Sequence, residues 1–451
     1  MKRLHQPAPE GALSSEAIAE NFSDLHPPLA AAQAAVEASR CLYCYDAPCI
    51  KACPTGIDIP KFIHQIRTGN IDGSATTILS ENIMGGTCAR ACPTETLCEE
   101  VCVVNRTQGG PVKIGALQRF AVDRMITAGG PHPFQRMKSS GRRFAVVGAG
   151  PAGLSFAHRA AMLGHRVIVY EARPKPGGLN EYGLAAYKMA EDFAQAEVAF
   201  LLQIGGIEIE YGKALGRELT LDGLRGGHDC VFIGAGLGGA GLLGVPGETL
   251  SGVRDALDFI AGIRQAGNKS SVPVGNDVIV IGGGNTAIDA AMQAKCLGAA
   301  RVTLVYRRGQ EAMGATAWEQ ELAAANGVVM RFWASPAGFS GVGRVERARF
   351  EETRIEGGAL APAGRWFDLP ADMVLKAIGQ KFALAAPSEL RLERGRVWVD
   401  EQFRTSIAGV YAGGDCIHRG EDLTVRAVED GKQAAMFADA HLRDSVKGAS
   451  R

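Results

Sequence analysis

Eight of the 11 cysteines fall between Cys41 and Cys102, in two groups: Cys41-x2-Cys44-x4-Cys49-x3-Cys53-Pro54, and Cys88-x3-Cys92-Pro93-x5-Cys98-x3-Cys102. Thiolates joined by such short spacers can wrap a metal centre, and a fourth cysteine followed by proline is the arrangement in which that cysteine serves the other cluster of a pair. Two 4Fe-4S clusters are the natural inference. Structural zinc also takes Cys-x2-Cys pairs, and a disulfide framework is the third possibility. The uneven spacings and the two Cys-Pro steps favour ferredoxin-type ligation, with zinc as the main alternative.

The second chemical signal is a nucleotide fingerprint. Phe144–Val147 is a short apolar run, followed at once by Gly148-Ala149-Gly150-Pro151-Ala152-Gly153. The first glycine allows a tight turn, the second lets the backbone approach a pyrophosphate, and the third lets helix and strand pack closely. The helix N-terminus then offers unpaired N–H groups to the anion. Val167–Tyr170 is the next strand, and Glu171 follows Gly150 by 21 residues, where a carboxylate accepts from a ribose hydroxyl. Gly177, Gly178 and Leu179 form a further turn able to pass along the same dinucleotide, and the strand of 229–236 ends at Gly236. A second fingerprint, Val278–Ile281 then Gly282-Gly283-Gly284-Asn285-Thr286-Ala287, has alanine at its third position. Its following strand, 301–306, ends in Arg307-Arg308. Arginine there often marks a 2′-phosphate, although one of the pair could instead stack on adenine or face solvent.

These motifs need elements to hold them. Residues 1 to about 30, broken by Pro7, Pro9, Pro27 and Pro28, are expected to be a loose arm, and 30–40 to be helical. Helix-like spacing recurs over 59–66, 73–82 and 114–128, and 129–141 reads as a linker. Helices are expected over 190–202 and 253–265 and a strand over 207–211; strands at 345–351 and 373–378, the latter carrying Ala377 and Ile378 and followed by Gly379, finish the second nucleotide part. A buried strand then ends in Gly413-Gly414-Asp415, placing a carboxylate where it can hold a sugar-like chain, and a helix over 423–440 follows. The fold class is therefore α/β: an α-helical iron–sulfur domain (1–138), then two Rossmann-like domains, with an FAD domain in two pieces (139–258 and 371–451) and an NAD(P) domain inserted at 259–370.

Composition excludes other classes. The 48 basic and 48 acidic residues cancel, which argues against a nucleic-acid partner. No run of 18 apolar residues exists, and the N-terminus lacks the apolar core of a signal peptide, so no membrane role and a cytoplasmic location are expected. In a reducing compartment the cysteines read better as ligands than as disulfides. Nicotinamide delivers a hydride, clusters accept single electrons, and a flavin does both, so the set reads as a converter feeding a wire. That chemistry belongs to the cofactors, and no catalytic side chain is nominated. Cys230, Cys296 and Cys416 are isolated, which argues against a dithiol exit. Cys416 reads as a small packing residue.

With these motifs in hand, the chain resembles the N-terminal half of dihydropyrimidine dehydrogenase, the electron-input subunit of its bacterial form and, more distantly, the small subunit of glutamate synthase. The stretches EASRCLYCYDAPC, KACPTGIDIPKFI, IGALQRFA, GAGPAGL, GGGNTAID and AGGD carry the resemblance, which covers nearly the whole length. It implies a first cluster on Cys41, Cys44, Cys49 and Cys102, and a second on Cys53, Cys92, Cys98 and Gln118, leaving Cys88 spare. It also implies FAD held by Gly148–Gly153, Glu171–Leu179 and Asp415, with Thr424 and Lys188 beside them, and the nicotinamide nucleotide held by Gly283–Thr286, Arg307 and Arg308. Two departures stand out. Relatives often have arginine near Lys188, and NADPH-using members carry further arginine where 314–318 has none. A doubly charged phosphate is best met by more than one fork donor, so NADH is favoured over NADPH.

The resemblance implies delivery of electrons to an FMN-containing subunit that reduces uracil and thymine. No further cysteine run follows and no length remains for a barrel of about 250 residues, so that partner is expected as a separate chain. The rivals are the small subunit of glutamate synthase and a non-catalytic nucleotide-binding scaffold.

Overall fold

The computed structural model describes residues 2–6, 13–106, 109–384 and 388–449. The chain divides into two compact units, and each unit is assembled from separated pieces of sequence.

One unit holds residues 26–181, 191–238 and the chain from 382 onwards. Its centre is a five-stranded parallel sheet in the order Val410–Ala412, Cys230–Ile233, Arg143–Val147, Arg166–Glu171, Ile207–Tyr211. The inner strands are short apolar runs because a parallel sheet is covered on both faces. The helix Pro151–Met162, rich in alanine, lies against the closing helix Thr424–Ala449, and Ser155 Oγ donates to Val428 O at 2.7 Å.

Among the described residues, six α-helices precede this sheet in the same unit: Ala31–Ala38, Pro48–Ala52, Ile59–Arg67, Ile71–Glu81, Gly85–Ala91 and Ile114–Thr127. Ile59–Arg67 shows why such segments are helical. Asp58 accepts from Lys61 N at 3.2 Å, proline occupies the first turn, and Ile59, Phe62, Ile63 and Ile66 form one buried stripe. Burying a side chain such as Phe62 contributes about 1.5–3 kcal/mol. Phe62, Ile78, Leu117, Phe144 and Phe156 belong to one continuous core, so the helical region and the first nucleotide sheet fold as one body. The 129–141 linker is pinned to the end of the helix Pro151–Met162 and the turn after it: Met137 N donates to Met162 O at 2.8 Å, and Arg136 Nη2 to His165 O at 3.0 Å.

The other unit comprises the described residues up to Leu25, 182–190 and 239–381. Its parallel sheet runs Val253–Asp255, Met373–Lys376, Asp277–Ile281, Arg301–Val305, Val328–Arg331, beside an antiparallel sheet of Ala334–Ser340, Arg347–Glu356 and Ala359–Pro370.

Several expectations need correction. The arm is not loose: Ser15–Asn21 is a helix capped by Ser14, and Leu4, Ile18 and Phe22 are buried in the core of the second unit. Asn21 Nδ2 donates to Cys296 O at 3.2 Å and Leu4 N to Asn326 Oδ1 at 2.9 Å, tying the arm down by polar bonds that composition does not reveal. Residues 7–12 of that arm, with Pro7 and Pro9, lie outside the described residues. The two compact units divide the chain after residues 25, 181, 190, 238 and 381, and 26–138 share a unit with the first nucleotide sheet. Residues up to 25 and 182–190 belong to the unit of the second nucleotide sheet, and the chain returns to the first unit after Lys381, because Met373–Lys376 pairs with Asp277–Ile281 in that sheet. The helix expected over 190–202 starts at Phe193, since Glu191 and Asp192 adopt left-handed φ of 58° and 55°. Val253–Asp255 is a strand, and the following helix is Ala256–Gln265. Among the described residues no helix is long and apolar enough to cross a membrane.

Glu197, on the helix Phe193–Leu202, is fully buried and accepts from Gly86 N at 2.8 Å, from Thr87 N at 3.0 Å and from the Thr87 hydroxyl. Burial raises its carboxyl to about 7, against the pull of the Thr87 hydroxyl and the backbone donors. A carboxyl raised in the folded state favours folding below its unfolded value and loses that advantage as pH rises towards the folded value. Glu197→Gln is therefore expected to flatten a fall in stability between about pH 4.5 and 7. Glu197→Ala, which leaves three buried donors without their acceptor, is expected to lower the melting temperature by several degrees. Thermal melts of the purified chain across that pH range check both.

Candidate functional site

The first glycine turn is shaped by close backbone approach. Gly148 has φ of 96°, and a Cβ on Gly178 would come within 2.7 Å of the Gly150 Cα, so the turns of 148–153 and 177–179 need glycine where they meet. Glu171, at the end of its strand, accepts from Ala149 N at 2.7 Å and Arg173 N at 2.8 Å, which holds its carboxylate against the turn. From the far end of the chain, Gly414 lies against Ala152, where an added Cβ would meet the Ala152 Cβ at 2.9 Å. Gly414 N donates to Asp430 Oδ2 at 2.9 Å. Asp415 is pushed up to about 7 by burial and by Asp422, with Arg396 opposing. Thr424 donates its hydroxyl to Asn180 Oδ1 at 3.2 Å, and Asn180 directly follows Leu179. Gly148–Gly153, Glu171, Gly178, Leu179, Gly236, Gly414, Asp415 and Thr424 thus all belong to one unit. A glycine cradle that a Cβ would fill, a helix N-terminus and a carboxylate at each end fit a dinucleotide such as FAD.

Lys188 belongs to the other unit, its side chain largely buried, with Nζ 2.7 Å from Asp289 Oδ1 and paired also with Glu319. Burial would lower its ammonium, and the two carboxylates more than reverse this and hold it above the ordinary lysine value. Tyr187 OH donates to the same Asp289 oxygen at 3.1 Å and Ala186 N to Gln293 Oε1 at 3.0 Å, so the 182–190 excursion is anchored to the helix Asn285–Cys296. Sequence could not show this, since the pairing spans more than 100 residues.

In the second fingerprint, a Cβ on Gly283 would overlap the Tyr306 ring, and Ala315 N donates to Gly283 O at 3.0 Å. Thr316 N donates to Asn285 Oδ1 at 3.3 Å, and Thr286 is half-buried on the first turn of the helix. Segment 313–316 therefore folds back on the Gly283–Gly284 turn. Arg307 and Arg308 are exposed just after Arg301–Val305, and neither guanidinium meets a carboxylate among the described residues. Ala377, Ile378 and Gly379 follow the neighbouring strand, with Ala377 N donating to Ile281 O at 2.8 Å.

The cysteines gather in two sets. Cys41, Cys44, Cys49 and Cys102 line a pocket with Pro48, Ile63 and Val104. Burial raises the Cys41 and Cys49 thiols, Cys49 to about 11, and the neighbouring sulfurs add to the rise. Cys92 is raised by a hydrogen bond with Cys88, by burial and by the nearby Cys98 and Cys53. Buried thiols that resist ionising beside one another are the donor set that a bound cationic iron centre relieves. Among the described residues no three His, Cys, Asp or Glu side chains converge as a single-ion site, and the first set surrounds a pocket instead. Gln118, 8% exposed, donates Nε2 to Gly85 O at 2.7 Å, on the short helix that also carries Cys88. Cys230, Cys296 and Cys416 are buried singly, and Cys416 Sγ donates to Gly413 O at 3.3 Å.

Sequence reasoning missed Asn180, Asp430 and Glu197. Asn180 alone had a local signal, its position beside the Gly178-Leu179 turn.

The family described as dihydropyrimidine dehydrogenase domain II, 4Fe-4S cluster, matches residues 18–129, and pyridine nucleotide-disulphide oxidoreductase matches residues 142–431. The chain is 34% identical over 420 residues to the NAD-dependent dihydropyrimidine dehydrogenase subunit PreT of Escherichia coli (strain K12), covering 92% of this chain and 96% of that one. It is 32% identical to the glutamate synthase [NADPH] small chain of the same organism, covering 92% of each. Among solved structures, Mycobacterium tuberculosis FprA in complex with NADPH shares the fold at a TM-score of 0.57 and 19% identity, covering 68% of this chain and 86% of that one. Lactococcus lactis thioredoxin reductase does so at 0.54 and 20%, covering 67% and 99%. With a cluster region joined to a flavin fold along the full match, the chain belongs to the family of FAD- and NAD(P)-dependent iron–sulfur oxidoreductase subunits that includes PreT and the glutamate synthase small chain.

Proposed function

We propose that this chain is the electron-input subunit of a dihydropyrimidine dehydrogenase, oxidising NADH and passing electrons through FAD and two 4Fe-4S clusters to a separate FMN-containing subunit that reduces uracil or thymine. The observation that carries this reading is the placement of both cysteine sets in the same compact unit as the flavin cradle. When bound, the flavin accepts a hydride and releases single electrons, which clusters carry one at a time. The protein's part is to hold and orient. Gly148–Gly153 and Gly178 keep side chains away from the pyrophosphate, and Glu171 and Asp415 offer carboxylates to its sugar-like portions. Cys41, Cys44, Cys49 and Cys102 would hold one cluster, and Cys53, Cys92, Cys98 and Gln118 the other. Lys188, occupied by Asp289 and Glu319, anchors the 182–190 excursion and is not proposed to touch FAD.

The choice of NADH rests on the loop beyond Arg307-Arg308. Segment 313–316 contributes backbone bonds to the Gly283 turn and contains no cation that could join the two arginines on a 2′-phosphate.

Anaerobically purified protein is expected to carry about eight irons per chain with a flavin absorption band that NADH bleaches. Cys102→Ser is expected to lose about half of that iron and Cys88→Ser to keep it, as iron and sulfide analysis reads. Halved iron in Cys88→Ser would instead give Cys88 the role assigned to Gln118, and flavin without iron would overturn the wire. Replacing Arg307 and Arg308 together by alanine is expected to lower kcat/KM for NADPH by about tenfold, one charge-assisted bond of about 1.5 kcal/mol, and for NADH much less. Uracil-dependent NADH oxidation on adding the FMN-containing subunit supports the dehydrogenase assignment. Activity only with a glutamate-forming large subunit overturns it.

A further inference from the structure

Both cysteine groups contain the same step, Cys-Pro-Thr, at 53–55 and at 92–94. The structure treats the two threonines differently. At the first, Gly56 N donates to Cys53 O at 2.9 Å and closes a tight turn with Pro54 and Thr55 at its centre. The turn folds the Thr55 side chain back on its own cysteine, and Thr55 Oγ1 lies 3.3 Å from Cys53 Sγ. Thr55 is 3% exposed, so water does not compete for its hydroxyl. Its carbonyl is held from a distant part of the chain: Lys432 Nζ, on the closing helix Thr424–Ala449, donates to Thr55 O at 3.2 Å. Lys432 is itself buried, and Glu81 at 2.9 Å and Glu429 at 2.8 Å balance its charge. At the second step, among the described residues, no hydrogen bond joins the Thr94 hydroxyl to Cys92 Sγ, and the Glu99 carboxyl lies close to Thr94.

In the thiol form either partner of the Thr55–Cys53 bond could donate. A ligating cysteine is a thiolate and has no proton to give, so the hydroxyl must be the donor once iron is bound. Reducing a 4Fe-4S cluster by one electron adds one negative charge and no proton, spread in part over the sulfurs. A donor aimed at a ligating sulfur therefore favours the reduced state, and hydrogen bonds to the sulfurs are among the terms that set cluster potentials.

We propose that Thr55 raises the reduction potential of the cluster ligated by Cys53, by donating its hydroxyl to Cys53 Sγ from a turn that Lys432 holds in place. The proposal rests on the two-cluster reading above. It makes Thr55 a tuning residue for one cluster and Lys432 its positioning residue. Electrons from the reduced flavin would then find the Cys53-ligated cluster easier to reduce than an unassisted one. No other reactant is required.

The test is anaerobic redox potentiometry of the holoprotein, following each cluster by electron paramagnetic resonance, with iron content measured on the same samples. Thr55→Val is expected to lower the potential of one cluster and leave the other in place. The expected loss in that cluster's reduction equilibrium is several-fold, tenfold being about 59 mV for a one-electron couple. Thr55→Ser, which keeps the donor, is expected to restore the wild-type value, and Thr94→Val to leave both potentials unchanged. Thr55→Ala removes the hydroxyl without an added branch and serves where valine disturbs the turn. Wild-type potentials in Thr55→Val or Thr55→Ala with full iron would overturn the proposal, as would an equal shift of both clusters. Loss of iron in both variants would make Thr55 structural only and would overturn it too. Wild-type protein without iron would instead sink the cluster reading itself, so the two failures are told apart.

Discussion

A buried carboxylate, Glu197, joins the cysteine-bearing helices to the flavin fold. It sits on a helix of the nucleotide part and accepts from the first turn of Gly85–Ala91, the helix that carries Cys88 and ends at Cys92. Arg90 of that helix makes paired bonds to Asp123 at 2.8 and 2.7 Å and lies over the Phe193 ring, so the contact is polar at its centre and packed around it. A buried acceptor with three donors leaves little freedom, because breaking any one exposes an unsatisfied group. The cysteine sets are therefore built into the flavin body and are not hung from a linker. A wire needs this rigidity, since its carriers must keep their separation.

The flavin cradle obeys the same logic by different means. The residues proposed for it come from 148–153, 171–179 and 414–424, and what unites them is the order of one parallel sheet. Val410–Ala412 joins Cys230–Ile233 at the sheet edge and so carries Gly414 to Ala152. Asp430 then fixes the Gly414 turn, and Asn180 links the second glycine turn to Thr424. These polar residues touch the turns and position them.

Much of this was legible in the residues. Glycine turns after apolar runs announced both nucleotide folds, because only glycine tolerates the backbone approach seen at Gly178 and Gly283. The stripe Ile59, Phe62, Ile63, Ile66 announced its helix. Less legible were segments whose order comes from distant partners. The proline-broken arm reads as loose, yet Leu4, Ile18 and Phe22 find a core made by Ala185–Tyr187 and residues beyond 250. Lys188 reads as a flavin neighbour, and two carboxylates more than 100 positions away claim it.

By itself the sequence determined what local chemistry can determine: which stretches form glycine turns, which cysteines are clustered, and which runs are strand or helix, since these depend on neighbours within a few residues. Tertiary structure alone decided which cysteines share a pocket, why Thr55 meets its sulfur while Thr94 does not, and which unit takes residues 182–190. Those outcomes follow from burial and from hydrogen bonds closed across the fold, such as Lys432 to Thr55 and Glu197 to Thr87, and no spacing along the chain encodes them.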